Sequence, residues 1–211
     1  MTVPFLRVVV HINIIVIWDS KGALSFTEVS QAGYSLDQAT RHPIYPTLAF
    51  LTAPVNCTAD EIDTQAFSRL LQEARGQFDY ILLDAPAGIE AGFRMAACYA
   101  DRILLVTAPD PASIRDAARA GQVLHTMGKE QVRLIVNRIS AQFVAYTGMT
   151  VDDIMDQSGL PLAGIVPEAP HVTLAATFSQ PLLGYTRKGA AAACCRIAKR
   201  IQGHHVPVSM K

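Results

Sequence analysis

The strongest signal for the fold is the stretch Phe78-Asp79-Tyr80-Ile81-Leu82-Leu83-Asp84-Ala85-Pro86-Ala87-Gly88, in which an apolar run ends in an aspartate and a glycine turn. A continuous apolar run such as residues 80–83 is typical of a strand that is buried on both faces of a parallel sheet. We therefore expect residues 80–83 to form a central parallel strand, with Asp84 at its carboxyl end facing a cleft. Gly88 lies in the turn that follows, where a glycine lets the backbone approach a ligand closely.

Similar short apolar runs occur along the whole chain and alternate with segments of helical periodicity. The further predicted strands are residues 6–17, 48–52, 103–106, 134–136 and 162–166. The predicted helices are residues 59–76, 113–127, 150–158 and 189–203, and another follows Gly88. This alternation predicts an α/β fold, with a doubly wound, mostly parallel sheet and helices on both faces.

Local signals mark several helix ends. The first helix places an apolar stripe on one side and is expected to end at Gly76, a good C-terminal residue. The second is expected to begin at Ser113, whose hydroxyl can cap the first turn. In the last helix, Cys194 and Cys195 lie in an alanine-rich stretch that predicts a buried helix.

Composition bounds the class of protein. The chain has 211 residues, of which 50% are hydrophobic and 17% charged, and we expect one domain over residues 1–211, with residues 1–13 atypical and 204–211 a short tail. The formal net charge of zero gives no reason to expect a nucleic-acid partner. The four cysteines form neither zinc-type C-x-x-C pairs nor a disulfide scaffold, which favours reduced thiols in a cytoplasmic protein.

The carboxylate of Asp84 has two interpretations. An acid at the carboxyl edge of a strand, beside a glycine turn, has the geometry of a Walker B residue, which holds Mg²⁺ against nucleotide phosphates. Aspartates at strand ends also cap the helix that follows. The residues by themselves leave both interpretations open.

An ordered series of segments resembles the MinD/ParA/Mrp family of P-loop ATPases over residues 14–207. The segments that carry the resemblance, besides Asp84-Ala-Pro-Ala-Gly, are Ala100-Asp-Arg, Val106-Thr-Ala-Pro, Ser113-Ile-Arg-Asp, Val136-Asn-Arg and Gly164-Ile-Val-Pro-Glu. The resemblance implies a P-loop NTPase-like fold that binds ATP and Mg²⁺.

The resemblance also implies roles for individual residues. Asp84 would be the magnesium-site acid, and Gly88 would belong to the switch II turn near the γ-phosphate. Asn137 would hydrogen-bond adenine through its side-chain amide, and Pro167 would pack near the base; an amide can pair with the donor and acceptor on a base edge, and a proline is a rigid apolar wall. The alternative for Asn137 is a turn residue that bonds its own backbone.

The resemblance further implies an ATP-binding protein of division-site selection. Its partners would be cell-division regulators of the MinC/MinE type and a second copy of the chain. Family members attach peripherally to the inner face of the cell membrane through a helix after the core. We do not expect this chain to associate with a membrane, because Pro207 interrupts its tail and the apolar tail residues alternate.

The chain departs from the family at the phosphate site. The family's Lys-Gly-Gly-x-Gly-Lys-Thr loop has no match, since Gly128-Lys129 is followed by Glu130 at the end of a helix. No residue is therefore assigned a catalytic role, and whether the chain is an enzyme stays open. Smaller departures are Ala118 and Ala169, where the family has acids, and Ser179, where a glycine is common.

Three hypotheses follow from these observations. In the first, the chain is a product whose 5′ coding portion was lost or wrongly assigned, so that it is not catalytically competent as given. In the second, it is a degenerate family member that binds a partner without hydrolysis. In the third, it is an unrelated enzyme on a similar sheet, although no Ser/His/Asp or Cys/His set lies at the strand ends.

Overall fold

The computed structural model describes residues 5–10, 36, 40–41, 48–51, 62–85 and 87–209. The described strands are β1 Phe5–Val10, β2 Thr40–Arg41, β3 Ala49–Phe50, β4 Tyr80–Ala85, β5 Arg102–Thr107, β6 Val132–Ile139 and β7 Leu162–Pro167. The described helices are α1 Thr64–Gln77, α2 Ala91–Tyr99, α3 Pro111–Thr126, α4 Ala141–Thr147, α5 Val151–Ser158, α6 Pro170–Thr177, α7 Leu182–Tyr185 and α8 Ala190–Ile201.

The chain divides into two compact units. The first comprises Met1–Arg7 and Trp18–Leu82, and the second comprises Val8–Ile17 and Leu83–Lys211. In the first unit, β2 and β3 form a small antiparallel sheet in which Thr40 pairs with Phe50. The larger sheet has the strand order β4-β1-β5-β6-β7, and β5 to β7 run parallel to one another.

Side chains from β5 to β7 enter two hydrophobic cores on opposite faces of the larger sheet. Ile103 and Leu105 lie in one core with residues of α2, α3 and α5, whereas Leu104 and Val106 lie in the other with residues of α8. Successive side chains of a strand point to opposite faces, so a strand that is apolar at every position must be covered on both sides. The predicted α/β sheet with helices on both faces is confirmed.

Helix α1 confirms its predicted apolar stripe but not its predicted end. The buried residues of the helix are Ala66, Phe67, Leu70, Leu71 and Ala74. The carboxylate of Asp63 caps the first turn by accepting from the backbone amides of Gln65 and Ala66. The helix continues through Gly76 to Gln77, with Phe78 as the extended C-cap. Gly76 was wrongly predicted to end it, because here the backbone turns out of the helix without a left-handed residue.

The start of helix α3 was wrongly predicted, whereas the start of helix α5 was correctly predicted. Helix α3 begins at Pro111 and not at Ser113, because the carboxylate of Asp110 accepts from the amides of Ala112 and Ser113 at 3.1 and 3.0 Å. Helix α5 begins as predicted, with a reciprocal capping box between Thr150 and Asp153.

Strand β4 differs from its prediction as a central, doubly buried strand. It is one of the two edge strands of the larger sheet in the part of the chain that the structure describes, and β7 is the other. Tyr80 is 43% and Leu82 63% exposed, while Ala85 is buried. A run of apolar residues indicates that a strand can be buried. Whether both of its faces are covered depends on its neighbours in space.

Helix α8 also corrects a prediction about burial. Cys194 and Cys195 are exposed, and the buried side of the helix carries Ala190, Ala191, Ala193 and Ile197 instead. Several predictions lie outside the described residues, namely those for residues 11–17, 52 and 59–61. No helix among the described residues is long and apolar enough to cross a membrane.

Candidate functional site

Polar side chains are buried at the carboxyl ends of β5 and β6. Among the described residues, the buried polar or charged residues are Thr107, Asn137 and Ser158. Thr107 is the last residue of β5 and is paired with Val136, while Asn137 is paired with Val166 of β7. Because ligands of open α/β sheets bind beyond the carboxyl ends of the strands, this edge is the candidate site.

Asn137 is buried, and its side-chain amide has no hydrogen-bond partner among the described residues. Asn137 is only 4% exposed. Its amide forms no hydrogen bond with any residue that the structure describes, whereas the buried hydroxyls of Thr107 and Ser158 each donate to a carbonyl, at 3.1 Å in both cases. An unsatisfied buried polar group costs about 1–3 kcal/mol. Such a group at a strand end indicates a ligand that would complete its hydrogen bonds.

A bulge in β6 follows Asn137 directly. The pairing of β6 with β7 shifts between Asn137 and Ile139, and the intervening Arg138 has a left-handed backbone with φ of +58°. Asn137 and Ile139 are both buried, while Arg138 is exposed. A left-handed conformation costs a non-glycine residue about 1–2 kcal/mol. Bulges and strained residues of this kind concentrate beside functional sites, where they redirect a side chain.

Pro167 and Glu168 lie at the neighbouring strand end. Pro167 is half-buried and pairs with Ile139 across the bulge, and the amide of Glu168 donates to the Ile139 carbonyl at 2.9 Å. The Arg138 guanidinium lies 3.4 Å from the Glu168 carboxylate. Both side chains are well exposed, so this ion pair contributes at most about 1 kcal/mol. The structure therefore places Asn137 and Pro167 on paired strands on either side of the bulge, and their role at an adenine base stays a prediction.

Asp84 and Gly88 lie elsewhere along this sheet. Asp84 is exposed near the end of β4, which is separated from β6 by β1 and β5 in the strand order. Gly88 is exposed and has a φ of +97°, a conformation that a glycine adopts without strain. Within the described ranges, no group of three or more His, Cys, Asp or Glu residues could hold a metal ion. A carboxylate oxygen suits Mg²⁺, which takes its other ligands from water and phosphate.

Sequence reasoning missed two features of the site. Thr107 was quoted only as part of a motif, although a threonine at the end of an apolar run predicts a buried hydroxyl at the strand edge. The bulge at Arg138 has no local signal, because arginine seldom adopts a left-handed backbone. By contrast, Ser179 has a φ of +49°, which explains why glycine is common at that position.

Similarity to solved structures defines the class of protein. The MinD cell division protein of Aquifex aeolicus superposes with a TM-score of 0.83 and 27% sequence identity, covering 98% of this chain and 87% of that chain. The MinD of Pyrococcus horikoshii, which was solved complexed with Mg-ADP, superposes with a TM-score of 0.71; at 19% identity it shows the fold alone. The chain has the fold of the MinD/ParA P-loop NTPases.

Curated sequences narrow the class to one family. The septum site-determining protein MinD of Synechocystis is 34% identical over 164 residues, which are 77% of this chain and 62% of that protein. MinD of Bacillus subtilis is 32% identical over 161 residues, which are 74% and 60% of the two chains. The chain belongs to the MinD family. It spans about three fifths of the length of these curated relatives, and no protein-family model matches the sequence.

Proposed function

We propose that this chain is a MinD-like protein of division-site selection that recognises the base of an adenine nucleotide through Asn137 and Pro167. The observation that carries the proposal is the buried amide of Asn137, which makes no hydrogen bond with the described residues. An amide presents one acceptor and two donor hydrogens, and the adenine edge presents a matching donor and acceptor. Binding would therefore offset the cost that the amide carries in the ligand-free chain.

The same site supports recognition of the base by shape. Pro167 provides a rigid apolar surface that lacks an N–H group to satisfy. Its pairing with Ile139 places it one strand away from the bulge. Together, the two residues can bind a purine base, Pro167 by packing and Asn137 by hydrogen bonding, without any charged group.

The phosphate half of the site rests on the family resemblance alone, and its main phosphate-binding sequence has no match in the chain. Asp84 and Gly88 stay predicted as the magnesium-site acid and the switch II turn. The 211 residues contain no Lys-Gly-Gly-x-Gly-Lys-Thr sequence, whose amides and lysines neutralise phosphates in the family. We therefore propose that this chain does not hydrolyse ATP by itself, and that its nucleotide affinity is weak and independent of Mg²⁺.

A second candidate function is partner binding without hydrolysis. A protein of similar structure, MinD of Aquifex aeolicus, has been solved in a MinC:MinD complex, with a TM-score of 0.83 and 27% identity to this chain. A partner of the MinC type, or a second copy of the chain, is the corresponding proposal here. Such a pseudo-ATPase would keep the base site as a structural sensor of nucleotide.

Calorimetry tests the base site. We expect AMP and ATP to bind with similar, weak affinity, with or without Mg²⁺, and Asn137→Ala to weaken both by at least about tenfold, which corresponds to about 1.4 kcal/mol. Ser158→Ala is the matched control, since it also removes a buried polar group, but one that lies at the end of α5. A large preference for ATP with Mg²⁺ would contradict the proposal.

A turnover assay tests the phosphate half separately. We expect no ATP hydrolysis above background, because phosphoryl transfer depends on groups that position and neutralise the phosphates. Turnover that disappears in Asp84→Ala, with protein free of contaminating ATPases, would reveal a phosphate site. A positive result here would leave the role of Asn137 to be decided by calorimetry.

A further inference from the structure

The last part of the chain differs from the rest in its charge. Residues 169–211 contain six Lys or Arg residues and no Asp or Glu residue, whereas residues 1–168 contain twelve Lys or Arg and eighteen Asp or Glu residues. The net charge of zero therefore combines an excess of six positive charges after Glu168 with an equal negative excess before it. A charge asymmetry of this kind indicates a surface with an anionic partner.

Large apolar side chains are exposed together on α6, α7 and the turn between them. Leu174 is 44%, Phe178 58%, Leu183 45% and Tyr185 38% exposed. Leu174 and Phe178 are four residues apart, a spacing that places helical side chains on one side. The rings of Phe178 and Tyr185 are stacked, with centroids 6.5 Å apart and planes 7° from parallel. We refer to these four side chains as the α6–α7 apolar face.

Exposed apolar residues of this number and proximity need an explanation. Single exposed leucines are common on soluble proteins, but contiguous apolar patches mark interaction sites. Aromatic residues supply most of the binding energy in protein interfaces, because they bury a large area and lose little side-chain entropy. The stacked pair Phe178 and Tyr185 is a preformed anchor of this type.

Two exposed cations follow the face closely in the chain, among the residues that the structure describes. Arg187 and Lys188 follow Tyr185 closely in the chain and are exposed. Arg196 and Arg200 are half-buried, and their guanidinium groups donate to main-chain carbonyls of the tail and of β7. These bonds run from Arg200 to Val206 and Ala163, both at 2.7 Å, and to Pro207, and from Arg196 to Ser209 at 3.2 Å. Among the described residues, Arg187 and Lys188 are therefore the exposed cations that adjoin the face in the chain.

The number of bordering cations decides between a lipid surface and a protein. Recognition of anionic lipid headgroups generally uses clusters of about four to eight Lys or Arg residues. Arg187 and Lys188 match one or two carboxylates, which a short acidic segment of a protein supplies. The apolar face adjoins them, as expected for a site that binds an amphipathic segment.

We propose that the α6–α7 apolar face, with Arg187 and Lys188, binds an acidic segment of a partner protein that carries two or three large apolar side chains. The apolar side chains pack on Phe178, Leu174 and Leu183, and the carboxylates meet the two cations. The residues involved are separate from Asp84, Gly88, Asn137 and Pro167. The inference is therefore independent of nucleotide binding.

Fluorescence anisotropy with two labelled synthetic peptides tests the proposal. Both peptides have about 15 residues, with leucine at helical spacing; one carries glutamate at the remaining positions and the other carries lysine. We expect the glutamate peptide to bind and the lysine peptide not to bind. Phe178→Ser and the pair Arg187→Glu with Lys188→Glu should each weaken binding of the glutamate peptide by at least about tenfold, and added salt should weaken it further.

Matched variants outside the face provide the controls. Tyr146→Ser removes a ring that is 82% exposed on α4, and Lys199→Glu reverses an exposed charge on α8. Both should leave affinity for the glutamate peptide within about twofold, and circular dichroism checks that every variant is folded. Equal binding of the two peptides, no binding of the glutamate peptide at millimolar concentration, or an equal loss in Tyr146→Ser would overturn the proposal. Sedimentation with anionic vesicles that depends on Phe178 would assign the face to lipid and would also overturn it.

Discussion

The two predicted halves of the nucleotide site differ in how the chain builds them. At the end of β6, the base half consists of a buried amide, a left-handed bulge and a half-buried proline on the paired strand. At the end of β4, the phosphate half consists of an exposed aspartate and an exposed glycine with a φ of +97°. The base half is supported by packing between neighbouring strands and helices, whereas the phosphate half depends on backbone conformation.

This difference shows which half of the site is maintained by the packing of the surrounding residues. Burial and strain at Asn137 and Arg138 have a cost in the ligand-free chain, and only the surrounding core maintains them. No atom of the described residues outside its two chain neighbours lies within 4 Å of a Cβ built at Gly88, so the described surroundings do not constrain it. Substitutions in each half should therefore change stability through different physical causes.

The largest expected change in the free energy of unfolding concerns the contact between β7 and helix α8, because Pro167 of the base half lies on β7. A Cβ on Gly164 of β7 would overlap with Ile197 and would lie 2.9 Å from Nη1 of Arg200, which donates to the Ala163 carbonyl. Gly164→Ala should lower the free energy of unfolding by about 3 kcal/mol, because the packed helix must shift. Urea denaturation measures the change.

The matched control for this substitution is Gly184→Ala in α7. No atom lies within 4 Å of a Cβ built at Gly184. We expect its free energy of unfolding to stay within about 0.5 kcal/mol of the wild type or to rise. Equal destabilisation by both substitutions would show that close contact between β7 and α8 is not the cause.

The next effect concerns the buried amide itself. Asn137→Leu should raise the free energy of unfolding by about 1 kcal/mol in the absence of nucleotide, since it replaces an unsatisfied amide with an apolar group of similar size. Chemical denaturation without nucleotide measures this gain. The same variant should lose its affinity for AMP in calorimetry.

Thr107→Val provides the comparison for Asn137→Leu. The Thr107 hydroxyl donates to the Ala108 carbonyl at 3.1 Å, so its removal deletes an existing hydrogen bond and should not stabilise the chain. A loss of stability in Asn137→Leu would mean that the amide has a partner, and the base half would then be a structural feature instead of a binding site.

An effect of similar size is expected in the phosphate half. Gly88→Ala should lower the free energy of unfolding by about 1 kcal/mol, because an L-residue is strained at a φ of +97° although no atom obstructs its Cβ. Thermal denaturation detects the change.

Gly76→Ala in α1 is the matched control, for which we expect a change in stability of the opposite sign. Gly76 is helical and also has no atom within 4 Å of a built Cβ, so alanine should raise stability by about 0.5–1 kcal/mol. If Gly88→Ala stabilised the chain as Gly76→Ala does, backbone conformation would not distinguish the phosphate half.

The last effect depends on pH and concerns the cap on α3, the helix that follows β5. Hydrogen bonds from the Ser113 backbone and side chain hold the pKa of the Asp110 carboxyl below its usual value. A carboxyl with a lowered folded-state pKa stabilises the chain fully above its unfolded pKa of about 4 and loses this contribution as pH falls through the folded pKa. Asp110→Ala should therefore cost about 1 kcal/mol at pH 7 and progressively less below pH 4.

Asp116→Ala is the control for the cap, since Asp116 is exposed on the same helix and lies beyond its first turn. It should change stability by less than about 0.5 kcal/mol at pH 7. A difference between Asp110→Ala and wild type that is constant from pH 7 to pH 2 would exclude the ionised carboxylate as the source of the capping energy.

Features that depend on nearby residues could be predicted from the amino-acid sequence. The apolar runs predicted β5, β6 and β7, and the segment 150–158 was predicted as the helix that the structure shows as α5. The ordered motifs predicted the MinD/ParA fold and named Asn137 and Pro167, which the structure places on paired strands. These features follow from side-chain periodicity and local hydrogen bonds, which act over a few residues.

Which surfaces are covered could not be predicted from the sequence and depends on the packing of the folded chain. It made β4 an edge strand among the described residues, exposed Cys194 and Cys195, and buried Asn137. It also produced the close contact at Gly164, although the sequence there is an ordinary strand. Burial depends on residues that are distant in the chain, and the same apolar or polar residue has a different energy once a neighbouring strand or helix removes its water.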